Sequence, residues 1–223
     1  MSGFDFSYIL SILLSVIPAL VCITLHELSH GLVAYWLGDR TAKDAGRLTL
    51  NPIKHLDPMG LLMMLVFHVG YAKPVPVNMS RFKNPKRGMA LTALAGPVSN
   101  LIIAAVFLCL YGLAAIPLSR SAAGQYLLRM LNTTAVMSIG LAIFNFLPLP
   151  PLDGSKVLLS LLSDEGYAKL MRYERYGSLL VFALAMAGVL GGPLNTAISF
   201  VYDSLFPLAK GGYSLVYQIL SRG

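Results

Sequence analysis

The sequence predicts an all-α membrane protein, a multi-pass bundle of about five to six transmembrane helices with a small membrane-associated β or re-entrant element. Of its 223 residues, 56% are hydrophobic and only 12% are charged, about half the charged share of an ordinary soluble domain. The apolar residues also gather in stretches that reach the roughly 20 residues needed to cross a bilayer. No repeat or separate polar domain divides them, so residues 1–223 are expected to form a single membrane domain.

The first apolar block, residues 6–37, begins after Asp5 and stops at Gly38-Asp39. Glycine commonly ends a helix, because it takes the left-handed conformation without strain. We therefore expect one transmembrane helix over this block. The second block, residues 59–70, is too short for a span and follows Asp57-Pro58. It is expected to be re-entrant or partly buried.

Residues 71–78 carry two prolines that alternate with valines. Proline cannot continue a helix, and β-branched residues favour extended backbone. An extended edge strand or loop is therefore predicted here.

Two further spans are predicted over residues 89–116 and 126–147, separated by a short turn. The second ends at Leu147-Pro-Leu-Pro-Pro151, where three prolines in four positions stop a helix.

The C-terminal apolar block, residues 176–206, is interrupted by Gly191-Gly192-Pro193. Glycine and proline both weaken a helix interior. The block is therefore either one kinked span or a span followed by a second helix that ends near Leu220. The sequence alone leaves both arrangements open.

The net charge of +7 could indicate either a nucleic-acid partner or a membrane topology, and the placement of the basic residues favours topology. Thirteen of the 17 lysines and arginines lie in three segments between the apolar blocks, residues 40–54, 73–87 and 156–175. If residues 59–70 do not cross, all three segments face one side, which the positive-inside rule assigns to the cytoplasm. The N-terminus is then outside, and no nucleic-acid partner is expected.

Within the first predicted span stands His26-Glu27-Leu-Ser-His30. Residues four apart share one helix face, so both imidazoles can bind one metal ion while Glu27 lies beside it as a general base. The alternative is a chance match or a pair of hydrogen-bonded core histidines. An ionisable residue at membrane depth costs at least ~2.5 kcal/mol on insertion scales, and that cost favours a metal site.

A catalytic zinc ion takes three protein ligands, so a third ligand is needed. The extended motif of one zinc-protease class would require a histidine where Trp36 stands, and Glu165 and Glu174 lie in a charged segment typical of a solvated surface. Asp153 follows the proline run at an expected helix start. It could bind metal or cap a helix that begins near Ser155, and its position alone favours the cap.

Three stretches together resemble the site-2 protease family of intramembrane zinc metalloproteases: His26-Glu-Leu-Ser-His30, Gly96-Pro-Val-Ser-Asn100 and Asn145-Phe-Leu-Pro-Leu-Pro-Pro-Leu-Asp-Gly154. The last looks like the family's Asn-x-x-Pro-x-Pro-x-x-Asp-Gly signature, which implies that Asp153 is the third zinc ligand. With the two histidines, it would hold one Zn²⁺ per chain, and Glu27 would activate the attacking water. The resemblance runs over residues 20–160, the implied catalytic core, with C-terminal helices over residues 176–220.

The same resemblance implies supporting roles for two asparagines. Asn145 would lie near the metal and orient the substrate or an oxyanion, with a plain inter-helix hydrogen bond as the alternative. Asn100 is a candidate for the same support. Its alternative is close helix packing together with Gly96.

Two other stretches, Asn51-Pro-Ile-Lys-His-Leu-Asp-Pro-Met-Gly60 and Ala72-Lys-Pro-Val-Pro-Val-Asn78, look like the compact bacterial and archaeal members of the family. This likeness implies an integral multi-pass protein of a prokaryotic cell membrane, with a membrane-associated β element near the active site. An edge strand there could pair with an extended substrate backbone through Val75 and Val77. A simple capping loop is the alternative.

The implied activity is that of a zinc metalloendopeptidase that cuts peptide bonds in or near the transmembrane helices of single-span membrane proteins. Its site would open toward the cytoplasmic side of the lipid bilayer. Control is expected from a regulatory membrane protein or from self-association, because the chain carries no PDZ insertion or regulatory repeat. Two alternatives stay open: a zinc-binding transporter or sensor, and a catalytically silent scaffold of the same fold.

Overall fold

The computed structural model describes residues 6–60, 72–163, 165–166 and 174–222. Over these residues the chain is helical, with no β-strand and one isolated antiparallel bridge between Leu56 and Ala72. The predicted all-α class is confirmed. Most of the predicted re-entrant block, residues 59–70, lies outside the described residues. Residues 72–78, predicted as an extended edge strand or loop, form no strand, and the β element stays a prediction.

Helix α1 (Phe6–Trp36) is the predicted first span, and Leu14–Trp36 is long and apolar enough to cross a membrane. It ends where predicted, at Gly38, whose φ is 107°. The N–H groups of Gly38 and Asp39 donate back to carbonyls of the last turn, which is the pattern of a Schellman helix end. The chain then turns into the short helix α2 (Thr41–Asp44).

The next two predicted spans, α3 (Pro85–Leu118) and α4 (Ala122–Phe146), are also confirmed. Each begins before its apolar block because a polar side chain caps it. The side chains of Asn84 and Ser121 each accept a hydrogen bond from an N–H of the first turn.

The proline run after α4 leads into the short helix α5 (Asp153–Leu159). Helices α6 (Glu174–Met186) and α7 (Gly191–Arg222) follow, with a bend of 87° between them. The C-terminal block therefore forms two helices, and Gly191-Gly192-Pro193 is the first turn of the second. The chain changes direction just before it, at Gly188, whose φ is 71°.

Three helices of the described chain, α1, α3 and α4, can each cross a membrane, and the bent pair of α6 and α7 makes a fourth crossing if it is one broken span. The chain is an integral membrane protein. The higher span count expected from the sequence stays a prediction.

Helix α3 lies at the centre of the bundle, where it contacts α1, α4, α5 and α7. Leu108 of α3, Ala135 of α4 and Ala209 of α7 form a buried cluster. Tyr202 of α7 also donates a 2.8 Å hydrogen bond to Asn132 of α4. Because α5 packs against α3, its first turn comes beside the histidine face of α1.

Candidate metal centre and active site

Three buried ligand atoms converge between α1 and α5. Nε2 of His26 lies 3.0 Å from Nε2 of His30, and Oδ2 of Asp153 lies 3.2 Å and 3.1 Å from these two nitrogens. A tetrahedral zinc ion with bonds of about 2.0 to 2.1 Å holds its ligand atoms about 3.3 Å apart. The nearly equilateral triangle of two imidazoles and one carboxylate therefore fits zinc.

Local structure explains why these atoms meet. The histidines stand four residues apart on α1, so both face the same side of the helix. Asp153 is the first residue of α5, after Leu152, and makes no capping hydrogen bond. The capping alternative is therefore wrong, because the helix begins at Asp153 itself and the carboxylate reaches across to the histidines.

Helix α3 accepts a hydrogen bond from Nδ1 of His30, the ring nitrogen that is not part of the ligand triangle. Its Nδ1 lies 2.7 Å from the carbonyl oxygen of Thr92. A carbonyl only accepts, so Nδ1 carries the proton and the lone pair of Nε2 is free for a cation. Gly96 makes this close approach feasible, because a Cβ there would overlap the rings of both His30 and His26.

Asn100 lies behind His26, on the side away from the ligand atoms. Its side chain is fully buried, its Nδ2 is 3.1 Å from Nδ1 of His26, and its Oδ1 has no partner among the described residues. Amide oxygen and nitrogen are interchangeable by a 180° turn. In the turned orientation Oδ1 accepts a hydrogen bond from the protonated Nδ1, which again leaves Nε2 free for a cation.

The triangle lies in a cavity of about 910 Å³ whose walls are mainly apolar. Glu27 lines this cavity beside the histidines, and its Oε2 accepts a 2.8 Å hydrogen bond from the N–H of Val75. The cavity also brings in Asn145 and Val77, which sequence reasoning had singled out, and residues of α6 such as Phe182.

The predicted supporting residues thus take different places. Asn145 faces the cavity and donates to the carbonyl of Leu141 on its own helix, at 2.9 Å. Asn100 does not line the cavity and contacts the back of His26. Val75 is buried, and its N–H is already engaged by Glu27.

Lys156 is a site residue that sequence reasoning missed. Its Nζ lies 3.5 Å from Oδ1 of Asp153, the carboxylate oxygen that does not face the histidines. Burial alone would raise the pKa of Asp153, but hydrogen bonds with the two histidines and the charge of Lys156 hold that pKa below its ordinary range. The available signal was a basic residue three positions after a candidate ligand on one helix.

Known proteins place the chain in a family. Residues 112–188 match peptidase family M50. The chain is 39% identical over 212 residues to "Putative zinc metalloprotease YwhC" of Bacillus subtilis, and the alignment covers 92% of this chain and 90% of that protein. It is 30% identical over 215 residues to "Putative zinc metalloprotease Rip2" of Mycolicibacterium smegmatis, and that alignment covers 92% of this chain and 81% of the relative.

The protein of the same name from Mycobacterium tuberculosis strain H37Rv is 29% identical over 189 residues. No solved structure matches the chain. The similarity to the Bacillus protein extends over nearly the whole of both chains. The chain therefore belongs to peptidase family M50, the site-2 protease group that its three motifs resemble.

Proposed function

We propose that this protein is an intramembrane zinc metalloendopeptidase that hydrolyses peptide bonds in or near the transmembrane helices of membrane proteins. Family membership makes it a zinc metalloprotease. The observation that carries the proposal is the meeting of two histidines, one aspartate and one glutamate at a single cavity inside an apolar bundle.

In this proposal His26, His30 and Asp153 hold one zinc ion. When bound, zinc supplies Lewis acidity, which polarises the scissile carbonyl and lowers the pKa of the attacking water. Glu27 accepts the proton from that water and later delivers it to the leaving nitrogen. Its Oε2 is engaged by Val75, so Oε1 is the oxygen assigned to the proton.

The segment from Lys73 to Asn78 is the proposed contact for the substrate backbone. Two of its residues are prolines without an N–H, and the N–H groups of Lys73, Val75 and Asn78 already donate within the protein. Val77, which lines the cavity, has the one remaining N–H of the segment without a described acceptor. A substrate strand would therefore pair at Val77.

Single-span membrane proteins are the proposed substrates. Their apolar side chains suit cavity walls that include Met89, Phe144 and Leu179. A helical peptide bond hides its carbonyl in an intrahelical hydrogen bond, so the substrate must unwind near the site. Asn145, half-buried in the wall, is the proposed donor to the exposed substrate carbonyl.

We assign the protein to a prokaryotic cell membrane, with the N-terminus outside and the site opening toward the cytoplasm. The support is the placement of most lysines and arginines in three segments between apolar blocks. Regulation by another membrane protein or by self-association belongs to the same proposal.

The test compares the purified wild-type protein with Glu27→Gln on a library of transmembrane helices, with products identified by mass spectrometry. Loss of the general base should lower turnover by about 10²- to 10⁴-fold while the zinc content is unchanged. Glu165→Gln is the matched control, because it makes the same exchange at an exposed glutamate. Undiminished cleavage by Glu27→Gln would remove this glutamate from the reaction. Absence of cleavage by the wild-type protein would reopen the transporter and scaffold alternatives.

A further inference from the structure

One backbone N–H fixes the carboxylate of Glu27. Val75 donates it to Oε2 at 2.8 Å, the one hydrogen bond that the described residues make to this carboxylate. Pro74 and Pro76 on either side carry no N–H. The conformation of this short segment therefore decides where the carboxylate lies.

Arg47 holds the segment at its first end. Its side chain is only 6% exposed, and its guanidinium donates to two consecutive carbonyls, of Pro74 at 3.1 Å and of Lys73 at 2.6 Å. No carboxylate of the described chain lies within ion-pair distance of it. A buried guanidinium must be hydrogen-bonded to offset its desolvation, so these carbonyls and the arginine constrain one another.

Asp39 holds the segment at its other end. The carboxylate is fully buried, and Oδ2 accepts a 2.6 Å hydrogen bond from the N–H of Asn78. Burial would raise the pKa of Asp39, but hydrogen bonds from Thr41 and Asn78 keep that pKa below its ordinary range. Asp39 is therefore a charged acceptor at neutral pH.

The middle of the segment rests on α1. The Val75 side chain is 8% exposed, and a Cβ built on Gly31 would lie 3.3 Å from its Cγ1. Gly31 follows Glu27 by four residues, on the same face of α1. The segment is thus fastened at both ends and seated beside the residue that it contacts.

We propose that Arg47 and Asp39 are positioning residues for hydrolysis, which hold residues 73–78 so that the Val75 N–H aims the Glu27 carboxylate at the attacking water. The inference rests on the function proposed above for Glu27. A glutamate side chain has three rotatable bonds, and without this anchor its carboxylate samples other rotamers. Misplacement of a catalytic group by about 1 Å can cost about 10²-fold in rate.

The first test is Arg47→Lys, which keeps the charge but cannot donate to both carbonyls in a fixed fork. We expect kcat on a transmembrane substrate to fall about 10- to 100-fold, with KM within about twofold and the zinc content unchanged. Asp39→Asn should act in the same direction, because it replaces a charged acceptor by a neutral one. Arg40→Lys is the matched control, since Arg40 is an exposed arginine at the other end of α2.

The second measurement is hydrogen–deuterium exchange of the Val75 amide, resolved to single residues by fragmentation. The flanking prolines carry no exchangeable amide, which isolates the Val75 signal. Protection should drop in Arg47→Lys and also in Glu27→Ala, which removes the acceptor in an otherwise unaltered chain.

Unchanged Val75 protection in Glu27→Ala, or wild-type kcat in Arg47→Lys, would overturn the proposal. A parallel fall of kcat and zinc content in both Arg47→Lys and Asp39→Asn would also overturn it, since it would indicate a purely structural role. Failure of the proposed function is seen separately, because the wild-type protein would then cleave no transmembrane substrate. Failure of the Glu27 role alone would leave Glu27→Gln fully active.

Discussion

Asn100 is expected to set the zinc affinity of the centre through His26. Its buried amide faces Nδ1 of His26 at 3.1 Å. Asn100→Leu keeps the bulk of the side chain and removes its polar atoms. Losing the partner of a metal-bound histidine weakens metal binding by about 10- to 100-fold. We expect the Kd for zinc to rise by this factor, which corresponds to about 1.4 to 2.7 kcal/mol.

Asn100→Asp separates the two orientations of the amide. A carboxylate can only accept, so it suits a His26 whose proton is on Nδ1 and whose Nε2 is free for the metal. Carboxylate partners of metal-bound histidines also raise the basicity of the ligand. The aspartate variant should therefore bind zinc more tightly than the leucine variant.

The assay is competition for zinc between each purified variant and a chromophoric chelator. Asn132→Leu is the matched control, because Asn132 is also an amide in a membrane helix but contacts Tyr202 instead of the metal ligands. Equal zinc affinity of Asn100→Leu and the wild-type protein would refute the role given to Asn100. Equal weakness of the leucine and aspartate variants would refute the proton assigned to Nδ1.

Two further substitutions probe the packing and charge around the centre. Gly96→Ala should destabilise the protein by about 1 to 3 kcal/mol and reduce its zinc content, because a Cβ overlaps both histidine rings; thermal unfolding and metal analysis check this. Gly140→Ala, where the nearest atom would be 3.5 Å away, should change neither quantity. Lys156→Met should weaken zinc binding by only about two- to fivefold, as for a partly exposed ion pair. Chelator competition should then show recovery in Lys156→Arg, and an unchanged Kd in the methionine variant would contradict the contact.

The spans were predictable because each depends on a property that the sequence carries locally. Length and apolarity mark α1, α3 and α4, and Gly38 marks the end of α1 through its positive φ. The break before α7 was harder to predict. Gly191-Gly192-Pro193 weakens a helix interior, but proline is also favoured in a first helical turn, and the structure uses it there.

The sequence was enough to single out the candidate metal ligands, but not the residues that surround them. Spacing identifies His26 and His30, and the proline run indicates a helix start at Asp153. Arg47, in contrast, looks like any topology-setting basic residue. Its partners are backbone carbonyls, which carry no side-chain signature in a sequence.

Asn100 was recognised in the sequence, but the sequence did not predict its role. Its motif was recognised, and its spacing from Gly96 puts both on one face of α3. Nothing in that spacing tells whether the amide enters the cavity or supports a histidine from behind. The difference depends on how deeply two helices approach, which is a property of their packing.

The alternation of proline and valine in residues 73–78, which line part of the cavity, also bears on pairing between neighbouring copies of the protein. An exposed extended segment with free N–H and C=O groups can pair with the backbone of a neighbouring copy, and such pairing can continue from one molecule to the next. In residues 73–78, two residues are prolines without an N–H, and three others donate their N–H within the protein. A neighbouring copy would therefore find one free N–H in this segment beside the cavity, too few donors for a continuous backbone ladder.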